Sequence, residues 1–267
     1  MNQRYIWNDP GWGLNDNAPD RATQFGDGLF ETIRTAADGD IPLLEFHQQR
    51  LFAGLQKLRF NESAQQKALV ALAALSELSE PSSCLKIMVS RGITDRGYAA
   101  AEDLEPLISV QVFSASPLVV SALNVGINTL RLARQPALAG VKHLNRLEQV
   151  LARQQFAPHW DESLLLDTDE RVVEGVMSNA FLYIRGRWVT PELDCAGVRG
   201  VTRAWLLRNY PNISIEVITQ SDLLSVEAMA FTNTLAGVRW VSDFDGRTLQ
   251  QHSDCTVWQQ DYMRMFA

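Results

Sequence analysis

The stretch "AGVKHLNRLEQVLARQ", Ala139 to Gln154, decides how the rest of the chain is read. Within it Gly140 precedes Lys142, and a helical period places Leu144, Leu147, Val150 and Leu151 on one face. The pattern predicts a helix packed through those four residues, with Lys142 at its start. A lysine held among packed neighbours loses its charge more readily than one in open water, because desolvation disfavours the ammonium form. An uncharged amine is a nucleophile and forms Schiff bases with carbonyl compounds. The plainer reading, an ordinary surface lysine at a helix start, stays open on this stretch alone.

Bulk properties narrow the class. With 267 residues, 46% of them apolar and 21% charged, the chain can bury a substantial core in one large domain or two modest ones. No apolar run reaches the length of a membrane span. The opening "MNQRYIWNDPGWGL" has no basic segment followed by an apolar one, which predicts an unexported protein. Cys84, Cys195 and Cys255 are odd in number, far apart and without a histidine at metal-ligand spacing. They read as reduced thiols of a cytoplasmic protein, with no metal site. A formal net charge of −7 argues against nucleic acid or an anionic membrane as partner. A small anionic ligand needs only a few local arginines and is compatible with that charge.

Toward the N-terminus lies "DRATQFGDGLFETIRT", Asp20 to Thr35, where Gly26, Asp27 and Gly28 read as a turn feeding an edge strand over Leu29 to Thr35. A helix is expected over Glu45 to Arg59. Its apolar arc, Phe46, His47, Leu51, Gly54, Leu55 and Leu58, contains Arg50. An arginine on a packed face needs either an internal carboxylate or an anion such as phosphate, which the guanidinium fork fits bidentately. A second helix, capped by Ser63 and turned inward through Leu69, Leu72 and Leu75, ends before Pro81. Strands Leu85 to Ser90 and Leu107 to Phe113 flank the loop "RGITDRGYAAAED", which offers Arg91, Arg96 and Tyr98 to a ligand or simply to solvent.

Beyond Lys142 the pattern turns strand-rich. Leu164 to Asp167 and Arg171 to Glu174 read as a hairpin, as do Ala180 to Ile184 and Arg187 to Val189. Glu174 ends an apolar strand, and a carboxylate buried there needs a cationic partner. In "GVRGVTRAWLLRNY" Gly200 precedes a helix that begins with Val201 and Thr202 and aims free amides and a hydroxyl outward. "AMAFTNTLAGV" runs from a strand at Ala228 into a turn bearing Thr232, Asn233, Thr234 and Gly237. Ser253 is expected to cap a terminal helix in which Val257, Trp258, Tyr262 and Met265 pack. A Schiff-base lysine, a carboxylate, an arginine and a helix start with hydroxyls together match what pyridoxal phosphate requires.

Six motifs in order, "FGDGLFETIR", "HQQR", "VKHLNRLEQ", "VVEGVMSNAFL", "GVRGVTR" and "TNTLAGV", resemble the fold-type IV pyridoxal phosphate enzymes, the D-amino acid and branched-chain aminotransferase group. The resemblance implies an α+β fold: a small N-terminal α/β sandwich over residues 1–113, a linker at 114–124 and a larger barrel-like C-terminal domain over 125–267. It also implies that Lys142 carries the Schiff base and Glu174 faces the pyridine nitrogen. Arg50, the amides of Val201 and Thr202, and Thr234 would hold the phosphate, with Arg96 and Tyr98 on the substrate. A homodimer is implied as well. Within the group, "DRATQFGDGLFET", "SRGITDRGY" and "LAGVKHLNRLEQVLAR" are similar to the aminodeoxychorismate lyases. That likeness implies aminodeoxychorismate as substrate and 4-aminobenzoate and pyruvate as products. An aminotransferase acting on D- or branched-chain amino acids is the alternative on the same fold. Leu147 stands where branched-chain aminotransferases often place a tyrosine, which counts against that alternative.

Overall fold

The computed structural model describes residues 3–8, 11–14, 20–94 and 97–267. The chain forms two compact units, one of Met1–Ser116, Val141–Asn145 and Met265–Ala267, the other of Pro117–Gly140 and Arg146–Arg264.

The first unit is built on a five-stranded antiparallel sheet in the order β2-β1-β5-β4-β3. Its strands are β1 (Gln3–Asn8), β2 (Gly11–Leu14), β3 (Gly28–Arg34), β4 (Ser83–Ser90) and β5 (Leu107–Ser114). Strand β5 buries Ile108, Val110 and Val112 at every second position, the period of a sheet with one covered face. The cover comes from α2 (Leu44–Lys57) and α3 (Glu62–Ala73). Helix α2 buries His47, Leu51, Gly54 and Leu55, a stripe at helical spacing. A Cβ on Gly54 would sit 3.1 Å from Leu29, so glycine there allows the helix to approach β3. The cap of α3 is Asn61, whose side chain accepts from Ala64 N–H at 2.7 Å, and not Ser63. Asn61 has the extended backbone an N-cap needs, while Ser63 is already inside the first turn.

Ahead of β3 a short helix, α1 (Arg21–Phe25), starts on the Asp20 side chain and stops at Gly26, whose φ of 64° is left-handed. The expected edge strand is found in β3, and its outer edge is covered. Phe30 N–H donates to Lys142 carbonyl and Leu144 N–H donates to Gly28 carbonyl, each at 3.0 Å. Lys142 therefore lies on an extended segment laid along β3, not at the start of a helix.

The second unit carries a nine-stranded mixed sheet. Its strands are β6 (Leu123–Leu132), β7 (Glu162–Asp167), β8 (Val172–Gly175), β9 (Asn179–Ile184), β10 (Arg187–Pro191), β11 (Ser214–Glu216), β12 (Val226–Asn233), β13 (Gly237–Phe244) and β14 (Arg247–Thr248). The order is β11-β10-β9-β12-β13-β6-β7-β8, with β14 on β13. The sheet curls until its two ends meet: Val172 at the β8 end donates to Ile218 just past β11, and Arg171 bridges Thr219. This is the barrel-like domain the resemblance implied. Leu164, Leu166, Leu182, Met229, Phe231 and Phe244 fill its core. Three helices complete the unit, α4 (Leu147–Gln154), α5 (Val201–Asn209) and α6 (Ser253–Arg264). Ser253 is the first helical residue of α6, not its cap. Trp258 and Tyr262 of α6 are buried, while Val257 is 46% exposed.

The helix beyond Lys142 starts later and faces differently from the expectation. It begins at Leu147 and buries only Ala152; Leu147, Val150 and Leu151 are 76%, 50% and 51% exposed. Periodicity identifies an apolar stripe but does not say what covers it. Among the described residues no helix is long and apolar enough to cross a membrane.

Candidate active site

In the first unit, Arg50 lies on α2 opposite Glu31 of β3, and its Nε donates to Glu31 Oε1 at 2.8 Å. Its Nη2 is paired with Glu31 Oε2, which also accepts from His47 Nδ1 at 2.6 Å. Both sequence readings of Arg50 bear on this geometry, since the internal carboxylate exists and occupies one edge of the fork. Glu31 and His47 are each 1% exposed. Burial pushes the Glu31 carboxyl up, but the Arg50 guanidinium and the His47 ring outweigh it and hold it at about 2. Burial lowers His47, against the pull of Glu31, and the charges of Arg50 and Lys142 lower it further. A neutral ring facing a carboxylate donates through Nδ1. On the neighbouring segment the Lys142 ammonium sits 4.3 Å from the centre of the Phe30 ring, on the aromatic face.

The loop between β4 and β5 belongs to the same unit. Arg96 lies outside the described residues. Tyr98 is 87% exposed and rests against Phe25, ring centres 5.3 Å apart. Arg91 donates to Asp27, to the Arg59 carbonyl and to the Leu58 carbonyl, so its guanidinium is spent on protein acceptors, two of them at the end of α2. A cavity of about 580 Å³ opens under the loop, lined by Arg21, Asp27, Arg59, Asn61, Arg91 and Tyr98 among others, and neither Lys142 nor Arg50 lines it.

In the second unit, Glu174 at the end of β8 is 5% exposed, and its Oε2 accepts from the Val198 N–H at 2.8 Å. Its charge is felt by half-buried Arg146 and buried Arg203, the cationic neighbours that a carboxylate in this position needs. Asn179 of β9 donates to the Val198 carbonyl at 2.8 Å, and a Cβ on Gly200 would run into it, so Asn179 sets the approach to α5. In the ladder Asn179 faces Thr232 of β12. Two residues further, Thr234 accepts through its carbonyl from the Tyr262 hydroxyl at 2.9 Å.

Helix α5 begins at Gly200 with no side-chain cap, so its first amides point outward unsatisfied by the helix itself. Thr202 in its first turn is buried, and its Oγ1 has no hydrogen-bond partner; the same holds for Thr232 Oγ1. Buried hydroxyls without partners are costly unless a ligand satisfies them. Arg203 lies 6% exposed in the same turn, held down to about 10 by burial and by the neighbouring Arg199 charge, with Glu174 opposing. Arg203 itself is spent on protein acceptors, its Nε donating to Thr190 Oγ1 at 3.2 Å and its Nη2 to the Pro191 carbonyl at 3.0 Å. Free amides and orphaned hydroxyls at this helix start make an oxyanion cradle, and phosphate fits that donor set. Among the described residues no cluster of three His, Cys, Asp or Glu could hold a metal ion.

Residues 28–244 match the family described as class IV amino-transferases. The chain belongs to that family. An aminodeoxychorismate lyase of Vibrio harveyi is 31% identical to this class IV member over 84% of the present chain and 85% of its own. A putative branched-chain-amino-acid aminotransferase of Methanocaldococcus jannaschii is 30% identical over 86% and 83%. The crystal structure of 4-amino-4-deoxychorismate lyase from Pseudomonas aeruginosa superimposes with a TM-score of 0.83 at 33% identity, covering 98% of both chains. The two-unit α+β fold of this class IV member is thus the fold of that group.

Several groups in this class IV chain escaped sequence reasoning. Glu31 was foreshadowed only by Arg50, whose place in an apolar arc demanded an acceptor without identifying which. The "SNAF" run reads as mostly structural, and Asn179 is so, as the spacer between β9 and α5. Nothing in local pattern marks Arg203 as the buried cation that ties α5 to Thr190 and Pro191, because that role exists only where separate strands and a helix converge.

Proposed function

We propose that this chain is a 4-amino-4-deoxychorismate lyase of folate biosynthesis, converting aminodeoxychorismate to 4-aminobenzoate and pyruvate with pyridoxal phosphate as cofactor in the cytoplasm. The observation that carries the lyase reading is the near-full-length likeness to two such lyases, at 31% and 33% identity. The oxyanion cradle at α5 supports the cofactor, and the three cysteines standing as free thiols suit a reducing compartment.

Lys142 would hold the cofactor covalently, Glu174 would stand at the pyridine nitrogen, and Arg50, Val201, Thr202 and Thr234 would take the phosphate. Bound in this way, pyridoxal phosphate supplies an electron sink for the carbon that bears the substrate's amino group. Lys142 Nζ removes the proton from that carbon, and the enolpyruvyl C–O bond on the neighbouring carbon breaks as the ring becomes aromatic. Lys142 then returns the proton to the departing enolpyruvate, which becomes pyruvate, so no further reactant is consumed. Glu174, held in place by the Val198 amide, would face the cofactor's ring nitrogen. Arg96 and Tyr98 would meet the substrate's carboxylates.

The test is a product assay on the cofactor-loaded protein. Pyruvate and 4-aminobenzoate should form in equal amounts from enzymatically generated aminodeoxychorismate. Amino-group exchange between an amino acid and 2-oxoglutarate, with no 4-aminobenzoate formed, would move the assignment to an aminotransferase. A homodimer belongs to the same reading, and the exposed Leu147, Val150 and Leu151 on α4 offer an apolar face for it. Light scattering should give twice the 29.9 kDa chain mass, and a monomer at micromolar concentration would refute the dimer.

A further inference from the structure

The motif "DRATQFGDG" does more than turn the chain into β3. Arg21 is 4% exposed, and its guanidinium reaches across to the loop between β4 and β5. Nη1 donates to Thr94 Oγ1 at 3.2 Å and to the Gly97 and Ala99 carbonyls at 3.1 and 3.3 Å, while Nη2 donates to the Tyr98 carbonyl at 2.8 Å. Its Nε goes to Asp27 Oδ2 at 2.8 Å, and the same oxygen accepts Arg91 Nε at 2.9 Å. Backbone bonds reinforce the joint: Arg21 N–H donates to Gly92 carbonyl, and Arg91 N–H to Asp27 carbonyl. The turn at Gly26–Gly28 also holds the lysine segment, since Asn145 Nδ2 donates to the Gly26 carbonyl and Leu144 N–H to the Gly28 carbonyl.

One turn thus fastens two things, the segment bearing Lys142 and the loop bearing Tyr98. We propose that Arg21 and Asp27 are positioning residues that fix the β4–β5 loop relative to the Lys142 segment, and so determine how well the enzyme binds its carboxylate-bearing substrate. The inference rests on the lyase reading for its substrate and on the loop position of Tyr98 for its effect. Four of the loop's polar groups depend on a single guanidinium whose planar fork no ammonium can reproduce, so even lysine at position 21 loses most of the network. Asp27 is the shared counter-ion, held below the usual carboxylate range because Arg91 and Arg21 outweigh the effect of its burial. Arg91, by contrast, is tied to the end of α2, and its removal should loosen the helix as well as the loop.

The experiment compares wild-type holoenzyme with Arg21→Lys and Asp27→Asn. For each, KM and kcat for pyruvate release from aminodeoxychorismate are measured, with cofactor affinity by absorbance titration and amide hydrogen exchange of peptides from the β4–β5 loop. Expected is a rise in KM of about tenfold or more, with kcat within about threefold and cofactor affinity within about twofold of wild type. Loop exchange should speed up by about tenfold while β4 peptides stay unchanged. A purely structural role would lower kcat, cofactor affinity and β4 protection together, and that result overturns the proposal. So does an unchanged KM with unchanged loop exchange in Arg21→Lys, the variant that keeps the charge beside Asp27. If wild type releases no pyruvate, the lyase reading fails on its own, and loop exchange alone decides whether Arg21 and Asp27 hold the loop.

Discussion

Lys142→Ala should abolish turnover. A positioned proton-transfer group is worth about 10² to 10⁴ in rate, and under the proposed function the same amine would also anchor the cofactor, so the loss should reach the top of that range or exceed it. The variant should still fold. Lys142 is held to β3 through its carbonyl, which accepts from Phe30 N–H, and its side chain contributes a cation–π contact to Phe30 worth on the order of 1 kcal/mol. Heat stability close to wild type, together with loss of the covalent absorbance band and of both products, is the expected pattern. Added methylamine or a similar small amine should restore part of the rate if the missing group is a proton acceptor. Lyase activity within about tenfold of wild type would remove Lys142 from the chemistry, since a group that transfers the proton is worth about 10² or more.

Glu31→Gln is the second large effect, and it acts on stability. The substitution leaves Arg50, whose side chain is 11% exposed, without its buried counter-ion, a loss that approaches the roughly 3 to 5 kcal/mol of a broken buried pair. The acid limb of the stability curve carries a separate signature. Glu31 is held at about 2 in the folded chain against 4.5 for an unperturbed carboxyl, so its contribution is fully present above pH 4.5 and is lost as pH falls from 4.5 toward 2. A shift of that size corresponds to roughly 3 kcal/mol over the window. His47 works in the same direction at higher pH. Its folded value lies below 6.5, so below pH 6.5 the unfolded chain gains a proton that the folded chain does not hold. Wild type should therefore weaken steadily on acidification, while Glu31→Gln starts less stable and shows a flatter curve below pH 4.5. Urea melts of the two proteins from pH 7 to pH 3 check this. Parallel curves would mean that Glu31 does not titrate against Arg50 in the folded state.

Both effects depend on groups that the linear chain reveals unequally. Lys142 stands out in the sequence because glycine, lysine and an apolar helical repeat follow one another within sixteen residues. Glu31 does not, because its importance comes from two helix residues, His47 and Arg50, that fold against β3 from sixteen and nineteen positions away. The loop arginines make the same point from the other side. Arg91 and Arg96 looked alike as ligand candidates, and only the three acceptors around the Arg91 guanidinium show that it is already committed. Arg21 does not stand out in the sequence either, although its guanidinium donates to Thr94, Gly97, Tyr98 and Ala99 once the chain is folded.

What the sequence determined by itself was local and periodic. Alternation in "LISVQV" places β5, the stripe His47, Leu51, Gly54 and Leu55 places α2, and Gly200 before Val201 and Thr202 marks the open start of α5. These follow from steric preferences and burial periods that act over a few residues. Tertiary structure decided the rest: that Lys142 runs along β3 instead of opening a helix, that Leu147, Val150 and Leu151 face outward, that Thr202 Oγ1 is buried without a partner, and that Asp27 joins two arginines seventy residues apart. Hydrogen-bond donors and charges are counted in space, and which of them are spent, orphaned or shared is settled only when distant segments pack together.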